Sequence, residues 1–284
     1  MMLWRTRTPV FSFPRPALVL GVVNVTPDSF SDGGRWADVD DAVAHGLNLA
    51  REGADILDIG GESTRPGATP VSEEEELRRV VPVIERLAAA TTVPLSIDTM
   101  KPAVADAAIR AGASIINDVA AHRADPALWE IVARTGAGYI AMHMKGTPST
   151  MQEAPTYVDV VGEVLAFFQD LLPRLASAGV SAEQVALDVG IGFGKSLEHN
   201  LELLGRMATF RQLGRPLVVG VSRKSFLGRL TGAPVEGRLP GCLAVSCLAR
   251  AAGVEVFRTH DVAPTTQALR VAEAVLAHGH RSQE

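Results

Sequence analysis

The stretch Asp58-Ile-Gly-Gly-Glu-Ser-Thr-Arg-Pro-Gly67 crowds Glu62, Ser63, Thr64 and Arg65 beside two glycines. A hydroxyl, a guanidinium fork and glycine-freed backbone N–H groups can together grip an anion. The same pattern suits a turn with a surface Glu–Arg pair, which is common and weak. A second polar stretch, Asn24-Val-Thr-Pro-Asp-Ser-Phe-Ser-Asp-Gly-Gly34, precedes it. Further on, Asp98, Asn117, Asp118, His143, Asp188, Ser222, Arg223, Lys224, Arg258 and His260 each close or follow a short apolar run. Any one of these could be a capping residue, but polar residues at the end of so many apolar runs are harder to explain by capping alone. No nucleophile–base pair stands out. His45, His122, His199, His278 and His280 lack metal-ligand spacing and read as surface residues.

These residues need elements to converge them. Apolar, β-branched runs predict strands at 18–23, 55–59, 94–97, 114–116, 138–142, 185–187, 216–221 and 254–257. Helical patterns follow at 38–52, 72–90, 102–111, 126–135, 157–178, 197–213, 239–251 and 262–277. Asp38 is a possible N-cap, and Ser72 with Glu75 forms a capping-box pattern. Asp125-Pro126 caps the fourth helix, Pro102 suits a first helical turn, and the passage after Lys224 reads as irregular. Strands alternating with helices imply a parallel sheet with right-handed crossovers. At about 250 residues the leading solution is an α/β fold with a single closed (βα)₈ barrel, and an open doubly wound sheet is the alternative. Residues 1–17 form an irregular or hairpin-like lead-in, and 18–284 the barrel. In such a barrel every polar strand end points to the C-terminal face, where chemistry is done.

The chain has 284 residues, 47% hydrophobic and 21% charged, which is ordinary for a globular protein with an ample core. A net charge of −5 offers no global basic field for nucleic acid. No apolar run reaches the ~18 residues of a membrane span, and Pro9, Pro14 and Pro16 interrupt any signal-like pattern at the start. Cys242 and Cys247 are off a common helical face, so no disulfide is expected between them. Low cysteine use fits a reducing compartment, and a cytoplasmic location is expected.

The two polar stretches, 24–34 and 58–67, resemble the two signatures of the dihydropteroate synthase family. Further matches are Ser96-Ile-Asp-Thr99, Ile115-Ile-Asn-Asp118, Met142-His-Met144, Gly192-Phe-Gly-Lys195, Gly220-Val-Ser-Arg-Lys-Ser225 and Arg258-Thr-His-Asp-Val262. They run in order from about Leu18 to the end. The resemblance implies a transferase of folate biosynthesis built as a (βα)₈ barrel. It joins 4-aminobenzoate to a 6-hydroxymethyl-dihydropterin diphosphate and releases diphosphate. It further implies a homodimer, sulfonamide competition and Mg²⁺ as cofactor, with Asn24 the metal ligand. Two departures stand out. The family usually has Pro at position 189 and Phe at 191, where this chain has Val189 and Ile191, and it has Val where this chain has Thr259.

The same resemblance distributes roles. Asp98, Asn117, Met142, Asp188, Lys224 and Arg258 would hold the pterin. Asn24, Thr64, Arg65, Arg258 and His260 would hold the diphosphate. Thr64, Pro66, Phe193, Ser222 and Lys224 would form the aminobenzoate site. Asp98, Lys224, Arg258, His260 and Arg65 would be catalytic. A corrinoid-dependent pterin methyltransferase would share Asp98, Asn117 and Asp188 but has no need of both loops. A non-catalytic pterin binder would be expected to have lost Arg65 or Asp98.

Overall fold

A computed structural model describes residues 1–26, 35–63, 69–121 and 126–281. The lead-in is an antiparallel hairpin of β1 (Met2–Arg5) and β2 (Val10–Phe13), with Trp4 opposite Phe11. Eight parallel strands then close into a barrel: β3 (Leu18–Asn24), β4 (Ile56–Gly60), β5 (Leu95–Asp98), β6 (Ile115–Asp118), β7 (Gly138–Met142), β8 (Val185–Asp188), β9 (Leu217–Gly220) and β10 (Val256–Thr259). Each strand pairs with the next in sequence, and β10 closes onto β3. The closed barrel is the architecture the alternation favoured over an open sheet.

The helices are α1 (Arg35–Arg51), α2 (Glu73–Ala90), α3 (Pro102–Ala111), α4 (Ala127–Thr135), α5 (Val160–Ser177), α6 (Leu197–Gly205), α7 (Ser225–Thr231), α8 (Leu239–Ala251) and α9 (Val262–Arg281). Ser72 caps α2, accepting from the Glu75 N–H at 3.2 Å. The helix α1 begins at Arg35, so Asp38 lies inside it rather than before it. Likewise α5 starts at Val160, because the Asp159 carboxylate accepts from the Gly162 N–H and fixes the cap there. The predicted helix over 197–213 is two pieces. The α-helix stops at Gly205, and a 3₁₀ segment, Met207–Leu213, continues to Gly214. The passage after Lys224 contains α7, which the irregular reading missed.

Strand residues alternate between two cores. Those facing out, such as Leu57, Ile59, Ile97 and Ile116, pack under the helices with Val80, Leu87 and Ile109. Those facing in at the N-terminal end, including Leu18, Leu20, Ile56, Ile115, Ile140 and Val218, meet Trp4, Phe11 and Phe13 of the hairpin. The hairpin therefore plugs one end of the barrel. Trp4 is fully buried and donates from Nε1 to the Gln184 carbonyl at 3.0 Å, which satisfies its one polar atom. The other end is where the in-facing residues turn polar. Among the described residues, no helix is long and apolar enough to cross a membrane. Both thiols, Cys242 and Cys247, are free.

Candidate active site

Register brings the first four barrel strands to one level. Asn24 pairs with Gly60, Gly60 with Asp98, and Asp98 with Asn117. Asp58 stands two residues before Gly60, so by strand alternation it shares that inner face. Gly60 carries no side chain where a Cβ would lie 3.5 Å from that of Asp98. Arg258 reaches this level from β10. Its Nε donates to Asp58 Oδ2 and its Nη2 to Asp98 Oδ2, both at 2.7 Å. Asn117 Nδ2 also donates to Asp58 Oδ2, at 3.1 Å.

One guanidinium thus serves two buried carboxylates. Burial is the larger influence on Asp98 and pushes its pKa up to about 7; Arg258 opposes the rise, and Asp58, Glu76 and Asp118 add to it. A single positive charge cannot fully compensate two anions in a desolvated site, so Asp98 holds its proton more firmly than a free carboxyl. Burial alone would lower Arg258, but Asp58 and Asp98 outweigh it and hold the guanidinium more firmly protonated than usual.

A second group gathers at β8 and β9. Asp188 is buried, and its Oδ1 accepts from the Gly190 N–H at 2.7 Å. Burial raises its pKa, opposed by Lys224, the Gly190 N–H, Lys195 and Arg258. Lys224 stands before α7 and donates from Nζ to the Ile191 carbonyl, with its ammonium 4.6 Å from the Phe193 ring centre. Burial lowers Lys224 to about 8 against the pull of Asp188, and Arg258 lowers it further. Met142, buried and paired in register with Asp188, joins Val119, Ala120, Met144 and Met151 in an apolar patch against which Phe193 and Met100 pack. Polar edges beside an apolar wall suit a flat heterocycle.

The loop after β8 is held by backbone contacts on every side. Gly190 has φ +70°, and a Cβ there would lie 1.9 Å from the His143 carbonyl oxygen. The Gly192 carbonyl accepts from Gln152, that of Phe193 from Lys195, and that of Gly194 from the Tyr157 hydroxyl. Val189 and Ile191 are fully buried, and Ile191 meets Lys224 through its backbone, so that contact does not depend on the side chain at 191. The second departure, Thr259, accepts from the Asp261 N–H at 3.1 Å and lies 3.2 Å from the Thr265 hydroxyl, bracing the start of α9.

Ser222 and His260 were assigned to different substrates but touch each other. The Ser222 hydroxyl accepts from the His260 N–H at 3.2 Å and lies 3.0 Å from His260 Nδ1. Asn24 is half-buried at the end of β3. Thr64, Arg65 and Pro66 lie outside the described residues, as do 27–34 of the first polar stretch and Asp125 and His122. Among the described residues, Glu62 has a part-buried partner rather than a surface one. It binds Lys101, which also binds the fully buried Glu76.

Sequence reasoning gave Asp58 no contact, yet it is the most buried acid at the mouth. A charge inside a strand buried on both faces demands a partner, and that was the available signal. It also gave His143 no partner. His143 is buried, with Nδ1 3.0 Å from the buried Lys195 ammonium. His45 and His199, read as surface residues, are half-buried: His45 Nε2 is 3.3 Å from the Val22 carbonyl, and His199 completes a capping box with Ser196.

Among the described residues, no three His, Cys, Asp or Glu gather as a metal-binding group. A single uncharged amide oxygen such as that of Asn24 matches an ion that takes most of its shell from phosphate oxygens and water. Of the described residues, Asn24 at the end of β3 is one that could take a place in the shell of such an ion.

Barrel, strand-end carboxylates and forked arginine define an enzyme mouth for a planar, amino-bearing ligand. Residues 20–260 match the model of the pterin binding enzyme family. The dihydropteroate synthase of Escherichia coli K12 is 48% identical over 259 residues, 91% of this chain and 92% of that protein. The solved Xanthomonas albilineans dihydropteroate synthase with 4-aminobenzoic acid is 49% identical, with a TM-score of 0.90 over 97% of this chain and 99% of that one. The same organism's enzyme in complex with 7,8-dihydropteroate is 46% identical, with a TM-score of 0.86 over 96% and 99%. The chain belongs to the pterin-binding enzymes and, within them, to the dihydropteroate synthase family.

Proposed function

We infer that the barrel mouth is a dihydropteroate synthase site. It joins 4-aminobenzoate to 6-hydroxymethyl-7,8-dihydropterin diphosphate, giving 7,8-dihydropteroate and diphosphate, a transferase step of folate biosynthesis. The observation that carries the reading is the Asp58–Arg258–Asp98 fork, set in register with Asn117 and within electrostatic reach of Asp188 and Lys224.

The residues divide the work by charge. Asp188 reads the amino-pyrimidine edge of the pterin, Asn117 lies beside it, and Lys224 faces the carbonyl and ring-nitrogen side. Met142 supplies part of the apolar wall. Arg258 lies over the ring, where a planar guanidinium stacks well. The bond that breaks joins a methylene on an electron-rich ring to diphosphate, so positive charge develops on the pterin as the anion departs. Asp98 stands where it stabilises that charge. Arg65, Arg258 and His260, with Thr64 and Asn24, receive the diphosphate, and this electrostatic term carries most of the rate. Asn24 would hold a Mg²⁺ ion, which would supply further charge neutralisation to the leaving group. The arylamine is neutral near pH 7 and attacks without a strong general base. Ser222 and the Gly67-side backbone of the second loop hold its carboxylate end, and Phe193, Pro66 and the Lys224 stem flank its ring. A sulfonamide competes for the same place.

A homodimer is part of the proposal. Leu248 on α8 and Val271 and Val275 on α9 are 71%, 62% and 67% exposed on two helices that pack together, an apolar face suited to a second copy. Sedimentation at micromolar concentration distinguishes dimer from monomer. The activity is tested by incubating the protein with dihydropterin diphosphate, 4-aminobenzoate and Mg²⁺ and measuring dihydropteroate and diphosphate. No product from folded protein would overturn the reading.

A further inference from the structure

Lys101 occupies the N-cap position of α3, where its side chain makes no capping bond. A cation there faces the positive end of the helix dipole, the unfavourable end. Its ammonium is nevertheless drawn between two carboxylates, donating to Glu62 and to Glu76. Glu76, in the first turn of α2, has a side chain only 1% exposed; that of Glu62 is 12% exposed. Buried ion pairs give little net stability over apolar replacements of the same volume. A triad that breaks a helix rule and adds little stability is the kind of local inconsistency that marks a functional constraint.

Its neighbours show what is constrained. Gly61, just before Glu62, has no room for a side chain: a Cβ would lie 2.7 Å from Val80 and 3.0 Å from Glu76. The Gly61 carbonyl accepts from Arg79 Nη1 at 2.8 Å. So α2 fixes the root of the 58–67 loop on one side and Lys101 fixes it on the other. Lys101 is itself anchored to the mouth. Its N–H donates to the Thr99 hydroxyl at 3.2 Å, and the Thr99 N–H donates to the Asn117 carbonyl at 3.2 Å. A continuous line of contacts runs from Glu62 through Lys101 and Thr99 to Asn117, passing the strand end that carries Asp98.

We propose that Lys101 is a positioning residue: through Glu62 it ties the root of the 58–67 loop, at Gly61 and Glu62, to the strand end carrying Asp98, and so supports aminobenzoate binding at that loop. The inference rests on the roles assigned above to Thr64, Arg65 and Asp98. Burial works against the Lys101 charge, but the bonds to Glu62 and Glu76 outweigh it and keep the ammonium protonated. The tie is therefore not released near neutral pH.

The test compares Glu62→Met, Lys101→Met and Lys101→Arg with the unsubstituted protein in the synthase assay. Failure of the unsubstituted protein to turn over would sink the functional reading and leave the tie a separate matter. With that activity in hand, Glu62→Met and Lys101→Met should each raise KM for aminobenzoate about tenfold at saturating pterin diphosphate, and Lys101→Arg should stay within about threefold. The pterin alcohol, which lacks the diphosphate, should bind each variant within about twofold of the unsubstituted protein by calorimetry. The double variant should be no worse than Lys101→Met alone, because the tie to Glu62 is already absent once the ammonium is gone. Glu62→Met removes the acceptor and leaves the Lys101–Glu76 pair in place, so it carries the test even where Lys101→Met fails to fold. An unchanged aminobenzoate KM in Glu62→Met overturns the proposal. So does a loss that falls equally on pterin and aminobenzoate, which is the mark of general loosening.

Discussion

Arg258 and Asp98 meet at 2.7 Å across the mouth of the barrel, and the same guanidinium holds Asp58 at the same distance. Asp98→Asn keeps the shape and removes the charge that faces the developing cation. Turnover should fall on the order of a hundredfold with the thermal transition nearly unmoved. A steady-state assay beside a melting curve checks this, and a loss of less than about twofold would remove Asp98 from the chemistry.

The pH profile follows from the same pair and from Lys224. Asp98 has an ordinary value of 3.8 and sits at about 7 in the fold. Between those values the folded state keeps a proton that the unfolded chain has released. This group's contribution to stability is therefore largest below 3.8 and declines as pH rises toward about 7. Turnover has the opposite sign, because the carboxylate form is the one that stabilises the ring cation. It should rise through about 7 and fall as Lys224, lowered to about 8, loses its charge. Asp98→Asn should abolish the acidic limb and spare the basic one.

Asp188→Asn leaves Lys224 without its main opposite charge and replaces a two-acceptor edge with a mixed one. Pterin affinity should drop by about 1.5–3 kcal/mol, roughly ten- to 150-fold. Calorimetric titration with the pterin alone reads it directly. Affinity retained within about twofold would move the pterin edge away from Asp188.

Gly190→Ala tests the loop that follows. The position has φ +70°, and the added methyl would lie 1.9 Å from the His143 carbonyl. The conformational cost alone is about 1–2 kcal/mol, and the clash with backbone adds to it. The melting temperature should fall by several degrees, with aminobenzoate KM raised through displacement of Phe193. An unshifted melting curve would mean the loop can take another path.

Much of this is legible in the sequence. The eight strands declare themselves because a strand covered on both faces must be almost wholly apolar, and the polar residue that ends such a run has one end of the barrel to face. Asp98, Asn117, Asp188, Lys224 and Arg258 were found that way. What escaped was set by contacts distant in sequence. Asp58 and Arg258 are paired across 200 positions, and no local pattern announces which cation a buried acid will meet. Helix α7 is only seven residues long and has no side-chain cap, so it gives neither a period nor a start. The break after Gly205 escaped because the apolar spacing continues through it while the backbone tightens to 3₁₀.

The N-terminal hairpin has a consequence for traffic. Trp4, Phe11 and Phe13 stopper the far end of the barrel against its innermost layer of side chains. Substrates and products must therefore share a single doorway. The joined product, longer than either of its parts, has to back out through the same opening that admitted them. Each cycle is then a queue, in which the next pterin waits on the departure of the last pteroate.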